Sequence, residues 1–308
     1  MIIKTYLKKN RGFHGQDADS WAKSWGDANF PVSAEAVLKD HLSPIFKKYF
    51  PRSPKKILEG GCGTGKYVFA YRKLGYDIVG VDFASDLIRR IKEIDSALPV
   101  YEADITKLPF EDGYFDCYYS GGVIEHFEEG PDRALREARR VLKTNGLFLV
   151  TVPFINVIRT IKFMLSGEKF NKDLFQKKVI KCEIGGTFKG LSGYDFCEYS
   201  FNAKSLMPYF KKHGFRVEKI YATDILWGEI GLFLKNLFQK NSRHNTIDQV
   251  YGSRPRTDQR KPLKRSLIKD MAYDFFVTEN RDNMLCNLPL LVLTRLSGHM
   301  ALFVARAV

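Results

Sequence analysis

The chain has 308 residues, 44% of them hydrophobic and 27% charged, with a formal net charge of +14. These are the proportions of an ordinary globular protein, long enough for one large α/β domain with insertions. The five cysteines, Cys62, Cys117, Cys182, Cys197 and Cys286, are scattered and form no C-x-x-C pair, which argues for a reducing compartment and against a disulfide framework or a zinc site.

The N-terminus, MIIKTYLKKNRGF, lacks the continuous apolar core of a signal peptide. No stretch reaches the ~18 apolar residues that suggest a membrane span, so a cytoplasmic location is expected. The charge is uneven. Residues 1–150 carry 23 Lys+Arg against 21 Asp+Glu, and residues 151–308 carry 26 against 14. A basic half attracts phosphates, nucleic acid or an anionic membrane surface, and is equally read as a solvated face.

In chain order, residues 1–30 are polar with interleaved aromatics, among them Phe13, His14, Trp21 and Trp25. Ser33 is placed to cap a helix carrying Val37, Leu38, Leu42, Ile45, Phe46 and Phe50, with a break expected at Pro44. Residues 1–54 thus read as an N-terminal helical flank or lid. Ile57-Leu58 is a short apolar run ending in Glu59, followed by a glycine-dense turn to Gly65, a helical pattern, and a second apolar run, Ile78 to Val81, closed by Asp82. That is one βαβ unit with a ligand-binding loop at the carboxyl end of its first strand.

A helix follows over Ala84 to Leu98, then a strand over Pro99 to Glu102, a turn after Ala103-Asp104, and a strand from Phe115 to Ser120. Gly121-Gly122 makes a loop, and Val123 to Phe127 begins a helical turn. Pro131 opens a helix with Leu135, Ala138 and Val141 inward, and Leu147 to Val152 is a fifth strand. This alternation over residues 55–153 predicts a parallel sheet with helices on both faces. Beyond it, Ile155 to Leu165 reads as an amphipathic helix and residues 167–199 show no clear period. Ala203 to His213 is a helix stopped by Gly214, Phe215 to Ala222 is a strand, and Met300 to Val304 is a last strand. Between them, Leu226 to Phe238 has one apolar face, and residues 239–266 carry 8 Lys+Arg against 2 Asp+Glu and read as a loop or disordered insertion.

Three ligands compete for the glycine loop. A dinucleotide fingerprint, G-x-G-x-x-G, is met by Gly61 and Gly63, but its third position is Lys66. A phosphate-binding P-loop is met at Gly60, Gly65 and Lys66, but Tyr67 stands where a small hydroxyl must reach a metal ion. The pattern [DE]-x-G-x-G-x-G is met in full by Glu59, Gly61, Gly63 and Gly65. An acid at its head suits a cationic group and repels phosphate.

On these residues, with Asp82 following Gly65 by 17 positions and the phrase EADITKLPFEDGYFDCYYSGGVIEHF, the chain resembles the class I S-adenosylmethionine-dependent methyltransferases, in a small-molecule, quinone-biosynthesis-like branch. The resemblance implies a doubly wound α/β fold with a mostly parallel seven-stranded sheet and an antiparallel last strand lying between the fifth and sixth. It implies S-adenosyl-L-methionine as cofactor, held by Glu59, Gly61, Cys62, Gly63 and Gly65. Asp82 would take the ribose hydroxyls, Phe83, Asp104 and Ile105 would meet the adenine, and Ser120 and Gly121 the methionine part. Residues 55–153 would be the cofactor-binding core. Residues 154–308 would complete the sheet, with acceptor-side insertions over 154–200 and 223–299.

Some members bind a divalent metal through E-x-x-E-H after the fourth strand; here Glu125 and His126 keep two positions but the first is Gly122, and no metal is expected. His126 is read as a general base or as a structural or orienting residue, with Asp195, Glu198 and His14 as further candidates. The expected activity is methyl transfer to a small-molecule or lipid- or sugar-linked acceptor, at oxygen. The long insertion is read as a lid, core packing, a dimer surface, or a peripheral contact with a membrane for a lipid-linked acceptor. Two further readings stand: an RNA methyltransferase using the basic C-terminal half, against which no RNA-binding module is recognisable, and a non-catalytic binding or scaffold protein.

Overall fold

The computed structural model describes residues 2–8, 18, 21, 34–155, 177–182, 193–223 and 300–308. The sheet begins where an apolar run is buried on both sides. Strand β2 (Lys56–Gly60) has Ile57 and Leu58 fully enclosed, as a central parallel strand requires. Helix α3 (Lys66–Lys73) follows, then β3 (Asp77–Asp82), α4 (Ser85–Ile94), β4 (Val100–Glu102) and β5 (Phe115–Gly121). A 3₁₀ turn (Ile124–His126), α5 (Asp132–Val141) and β6 (Leu142–Pro153) complete this half. After it come β8 (Tyr194–Phe201), α6 (Ala203–Lys212), β9 (Phe215–Thr223) and β10 (Met300–Ala307).

The strand order is β4-β3-β2-β5-β6-β10-β9. The first five are parallel, and β10 runs antiparallel between β6 and β9, as the family resemblance implied. Successive residues along each strand alternate between two cores, because strand side chains have a period of two. Leu58, Tyr118, Phe148, Val150 and Phe303 face Leu135 and Ala138 of α5 and Leu206 and Phe210 of α6. Ile57, Cys117, Leu149, Leu302 and Val304 belong to the other core, with Val68 and Tyr71 of α3 and Ile88 and Ile91 of α4.

The second face is finished by α1 (Ala34–Leu38) and α2 (Ser43–Tyr49), with Pro44 in the first turn of α2. The break expected at Pro44 therefore falls just before it, at the helix start where its missing N–H costs nothing. Phe46 stacks on Phe50 at 4.5 Å and meets Tyr67 edge-on at 5.1 Å, so the leader packs on α3.

The N-terminal segment departs from the expected helical flank. Ile2–Lys8 is a strand, β1, at the centre of a separate antiparallel sheet in the order β7-β1-β8, where β7 is Lys177–Cys182. The stretch in which no period was legible thus supplies two strands. This sheet is sewn to the main one where Phe154 bridges Phe201 and the Ile155 N–H donates to the Phe201 carbonyl at 2.8 Å. The helix expected from Ile155 to Leu165, the apolar Leu226 to Phe238 and the basic 239–266 lie outside the described residues, apart from Ile155 itself. Among the described residues, no helix is long and apolar enough to cross a membrane.

Candidate functional site

The sheet reverses its winding between β2 and β5, the place where open α/β sheets bind ligands. Register brings the site residues to one edge there. Gly60 lies opposite Val81 on one side and Ser120 on the other, and Asp82 opposite Glu102. The Gly61 and Cys62 N–H groups both donate to the Val81 carbonyl, at 2.8 and 2.9 Å, folding the loop back over β3. Gly61, Gly63 and Gly65 all take left-handed conformations, with φ of 75°, 52° and 67°, which side chains resist. A Cβ on Gly61 would also collide with Val123, so the loop closes against the turn after β5.

Asp82 is buried at the end of β3. Its Oδ2 accepts from the Gly63 N–H at 2.8 Å and its Oδ1 from the Ala84 N–H at 3.0 Å. Burial raises its pKa against these backbone donors. Each oxygen keeps a second lone pair. Glu59 is also buried, and its Oε2 has no hydrogen-bond partner among the described residues. Burial pushes its pKa up to about 8, opposed by the Lys66 charge and the Val68 N–H. Lys66 binds Asp40 at 3.1 Å, at the break between α1 and α2. The lysine of the P-loop reading is thus engaged by an acid and lies close to a second. The Cys62 thiol is pushed well up by burial and by Asp82 and Glu59, so it is a neutral wall of the loop.

The remaining expected cofactor residues differ in setting. Phe83 is 39% exposed, a ring left at the edge, and Ile105, after β4, is buried. Asp104 is exposed, and its two oxygens accept from the Thr106 N–H and hydroxyl, each at 2.8 Å. An adenine amine there would be an added donor to an already engaged carboxylate. The Ser120 hydroxyl is buried with no partner among the described residues, and Gly121 ends β5. A backbone cradle without Cβ atoms, an unpartnered carboxylate oxygen, a fixed carboxylate at β3 and an exposed ring suit a ligand with a cationic group, hydroxyls and a flat base.

The turn after β5 carries the second half of the site. Glu125 is buried with Oε2 unpartnered among the described residues, and burial raises its pKa well above the usual range, with Glu198 adding to this. His126 Nδ1 lies 2.7 Å from the Cys197 carbonyl on β8. A carbonyl only accepts, so Nδ1 carries the proton and Nε2 the lone pair. Burial lowers the His126 pKa against the Glu198 charge and the Cys197 carbonyl. The Trp21 ring stands edge-on to the imidazole at 4.7 Å. Glu198 is thus brought to His126; Asp195 lies on β8 opposite Leu7, and His14 falls outside the described residues. A Cβ on Gly122 would lie 3.6 Å from Glu125 Oε1. Among the described residues, no group of three His, Cys, Asp or Glu could hold a metal ion.

Several residues here escaped the sequence reading. Lys4 of β1 is buried; its Nζ binds Glu128 Oε1 at 2.8 Å and lies 5.1–5.7 Å from the Tyr6, Phe196 and Tyr199 rings. Burial opposes its charge, but the hydrogen bonds to Glu128 and Tyr6 carry its pKa above the ordinary value. The Tyr199 hydroxyl donates to the Glu128 carbonyl at 2.7 Å. A lysine set among Ile2, Ile3, Tyr6 and Leu7 was the one available signal.

A family model described as a methyltransferase domain, Methyltransf_11, matches residues 58–150. The uncharacterized protein MJ1252 of Methanocaldococcus jannaschii is 32% identical over 196 residues, 60% of this chain and 71% of that one. A malonyl-[acyl-carrier protein] O-methyltransferase of Legionella pneumophila is 30% identical over 160 residues, 49% of this chain and 51% of that one. A probable S-adenosylmethionine-dependent methyltransferase of Mycobacterium tuberculosis, Rv3030, is 27% identical over 110 residues, 35% and 40%. The chain therefore spans about half, or less, of the two relatives named as methyltransferases. With the antiparallel β10 in its sheet and the glycine loop at its switch point, the chain belongs to the class I S-adenosylmethionine-dependent methyltransferases.

Proposed function

We propose that this methyltransferase acts at oxygen, on a hydroxyl of a small-molecule or lipid- or sugar-linked acceptor, with His126 as general base. The observation that carries this reading is the imidazole itself: held by Nδ1–H on the Cys197 carbonyl, beside the turn that closes on the glycine loop, and kept neutral by burial. A hydroxyl is a weak nucleophile whose proton must leave as the new bond forms, which is work for a neutral imidazole near pH 7. The relatedness to malonyl-[acyl-carrier protein] O-methyltransferases favours oxygen as the atom methylated.

Bound S-adenosylmethionine supplies a methyl group on a sulfonium centre. In this reading Glu59 takes the ammonium group, and Gly61, Cys62, Gly63 and Gly65 lie against the amino-acid part with Ser120 and Gly121. Asp82 accepts from the ribose hydroxyls with the lone pairs that Gly63 and Ala84 leave. Phe83 covers one face of the adenine, with Ile105 and Asp104 at its rim. Nε2 of His126 receives the acceptor proton, and the alignment of acceptor and donor provides much of the rate.

The test is incubation of the full chain with methyl-labelled cofactor and cell extract, followed by partition. Label is expected in a lipid or saccharide fraction. Label confined to nucleic acid would remove this reading in favour of an RNA acceptor.

A further inference from the structure

We infer that the three-stranded sheet is the device that orients His126: a β-bulge at Cys197 presents its carbonyl to Nδ1–H and so fixes the tautomer with Nε2 as proton acceptor, while Lys4 and Tyr199 clamp the following segment through Glu128. The tautomer stands on geometry alone; its catalytic consequence rests on His126 being the base proposed above.

Three observations converge. The first is the register of β1 against β8. Thr5 faces Glu198 and Tyr6 faces Phe196, so Cys197 is the additional residue of a bulge. Bulges locally re-aim backbone groups and are common beside active sites. Here the re-aimed residue is the one whose carbonyl accepts from His126. An imidazole leaves whichever nitrogen is not donating as its acceptor, so a fixed backbone carbonyl at Nδ1 selects the other nitrogen for chemistry.

The second is the clamp two residues on. The Tyr199 hydroxyl takes the Glu128 main-chain carbonyl and the Lys4 ammonium takes its side chain, at 2.7 and 2.8 Å. Lys4 and Tyr199 lie opposite each other in the same sheet. His126 and Glu128 are thus both gripped by one surface.

The third is the setting of Lys4. Its side chain is 2% exposed, among three aromatic rings. Burying an ammonium is costly unless it is paired, and a plain sheet core would carry an apolar residue there. A cation at this place holds Glu128, and through it the turn. Lys4 and Tyr199 are therefore positioning residues rather than catalytic ones.

The test is nitrogen NMR of the full chain labelled at histidine, with His126 assigned by the signals lost in His126→Gln. The parent should show His126 protonated at Nδ1 and not at Nε2. Deleting Cys197 leaves Phe196 opposite Tyr6 and Glu198 opposite Thr5 in an unbroken ladder, and should release the ring to a mixture of tautomers. If that chain does not fold, Lys4→Met combined with Tyr199→Phe decides; it should give the same mixture while S-adenosylhomocysteine binding stays within about twofold of the parent. A parent ring protonated at Nε2 would overturn the inference. So would a ring still held at Nδ1 in the folded deletion chain or, where that chain does not fold, in the double variant. If the variants release the ring but His126→Gln transfers label at the parent rate, the base reading fails and the positioning inference stands.

Discussion

The two edges of the site are built in opposite ways. The cofactor edge is local: Asp82 is tied to Gly63, 19 residues away, and to Ala84, two residues away. The edge proposed for the acceptor is assembled from afar, with His126 tied to Cys197 across 71 residues and Lys4 to Glu128 across 124. A cofactor shared by a whole family is met by a compact βαβ unit with glycines at fixed spacing. In the proposed reading, an acceptor particular to one enzyme is met by the strands that the rest of the chain lays over that unit. The two edges should therefore fail separately.

The largest separation is expected from His126→Gln. General bases contribute about 10²–10⁴-fold to rate, so labelled transfer to the extract acceptor should fall into that range while S-adenosylhomocysteine titration gives the parent affinity. Because burial lowers the His126 pKa, Nε2 remains unprotonated below the ordinary 6.5, and parent transfer should lose rate only at still lower pH. A decline beginning above 6.5 would contradict that.

Asp82→Ala is the converse. It removes the acceptor of the Gly63 and Ala84 N–H groups together with the carboxylate proposed to take the ribose hydroxyls. Hydrogen bonds to charged groups are worth about 1.5–3 kcal/mol each, so S-adenosylhomocysteine affinity should drop on the order of 100-fold by calorimetry. The His126 NMR signals should not move; if they do, the two edges are coupled and the comparison breaks.

Gly61→Ala tests the seam between the edges. A left-handed alanine costs roughly 1–2 kcal/mol, and its Cβ would press on Val123. Denaturant unfolding should show a loss of at least that size, together with weakened cofactor binding. An alanine chain as stable as the parent would mean that the loop does not pack on the turn after β5.

The smallest effect is a proton. Glu59 titrates near 8 when folded against 4.5 ordinarily. Between those values the folded chain holds a proton that the unfolded chain has released, so Glu59 makes stability fall as pH rises from 4.5 to 8, with little change outside that window. Glu59→Gln should gain on the parent across that window in denaturant midpoint. An ammonium bound beside Glu59 favours the carboxylate, so S-adenosylhomocysteine binding at pH 7 should release a proton, read by calorimetry in buffers of different ionisation enthalpy. Binding without proton release would remove Glu59 as the ammonium's partner.

Much of the fold was legible because its signals are local. The apolar runs Ile57-Leu58 and Ile78 to Val81 can be satisfied only inside a parallel sheet, and Pro131 and Gly214 mark helix ends by their own backbone limits. The glycine loop and Asp82 were legible because close backbone approach and an acid at a strand end have few alternative sequences. The small sheet was not. In β1, Ile3, Lys4, Thr5 and Tyr6 are all buried, so no polar–apolar alternation announces a strand. Residues 167–199 showed no period because the strand character of Tyr194–Phe201 depends on β1, which begins more than 180 residues earlier.

By itself the sequence determined the alternating strands and helices over residues 55–153, and the chemistry of the loop between Glu59 and Gly65. Short-range backbone sterics and hydrophobic period suffice for both. Only the tertiary structure decided that Lys4 is a buried cation, that Cys197 lends a carbonyl to His126, and which imidazole nitrogen remains to take a proton. Those follow from strand register and burial between distant segments, where a one-residue bulge changes which group faces the site.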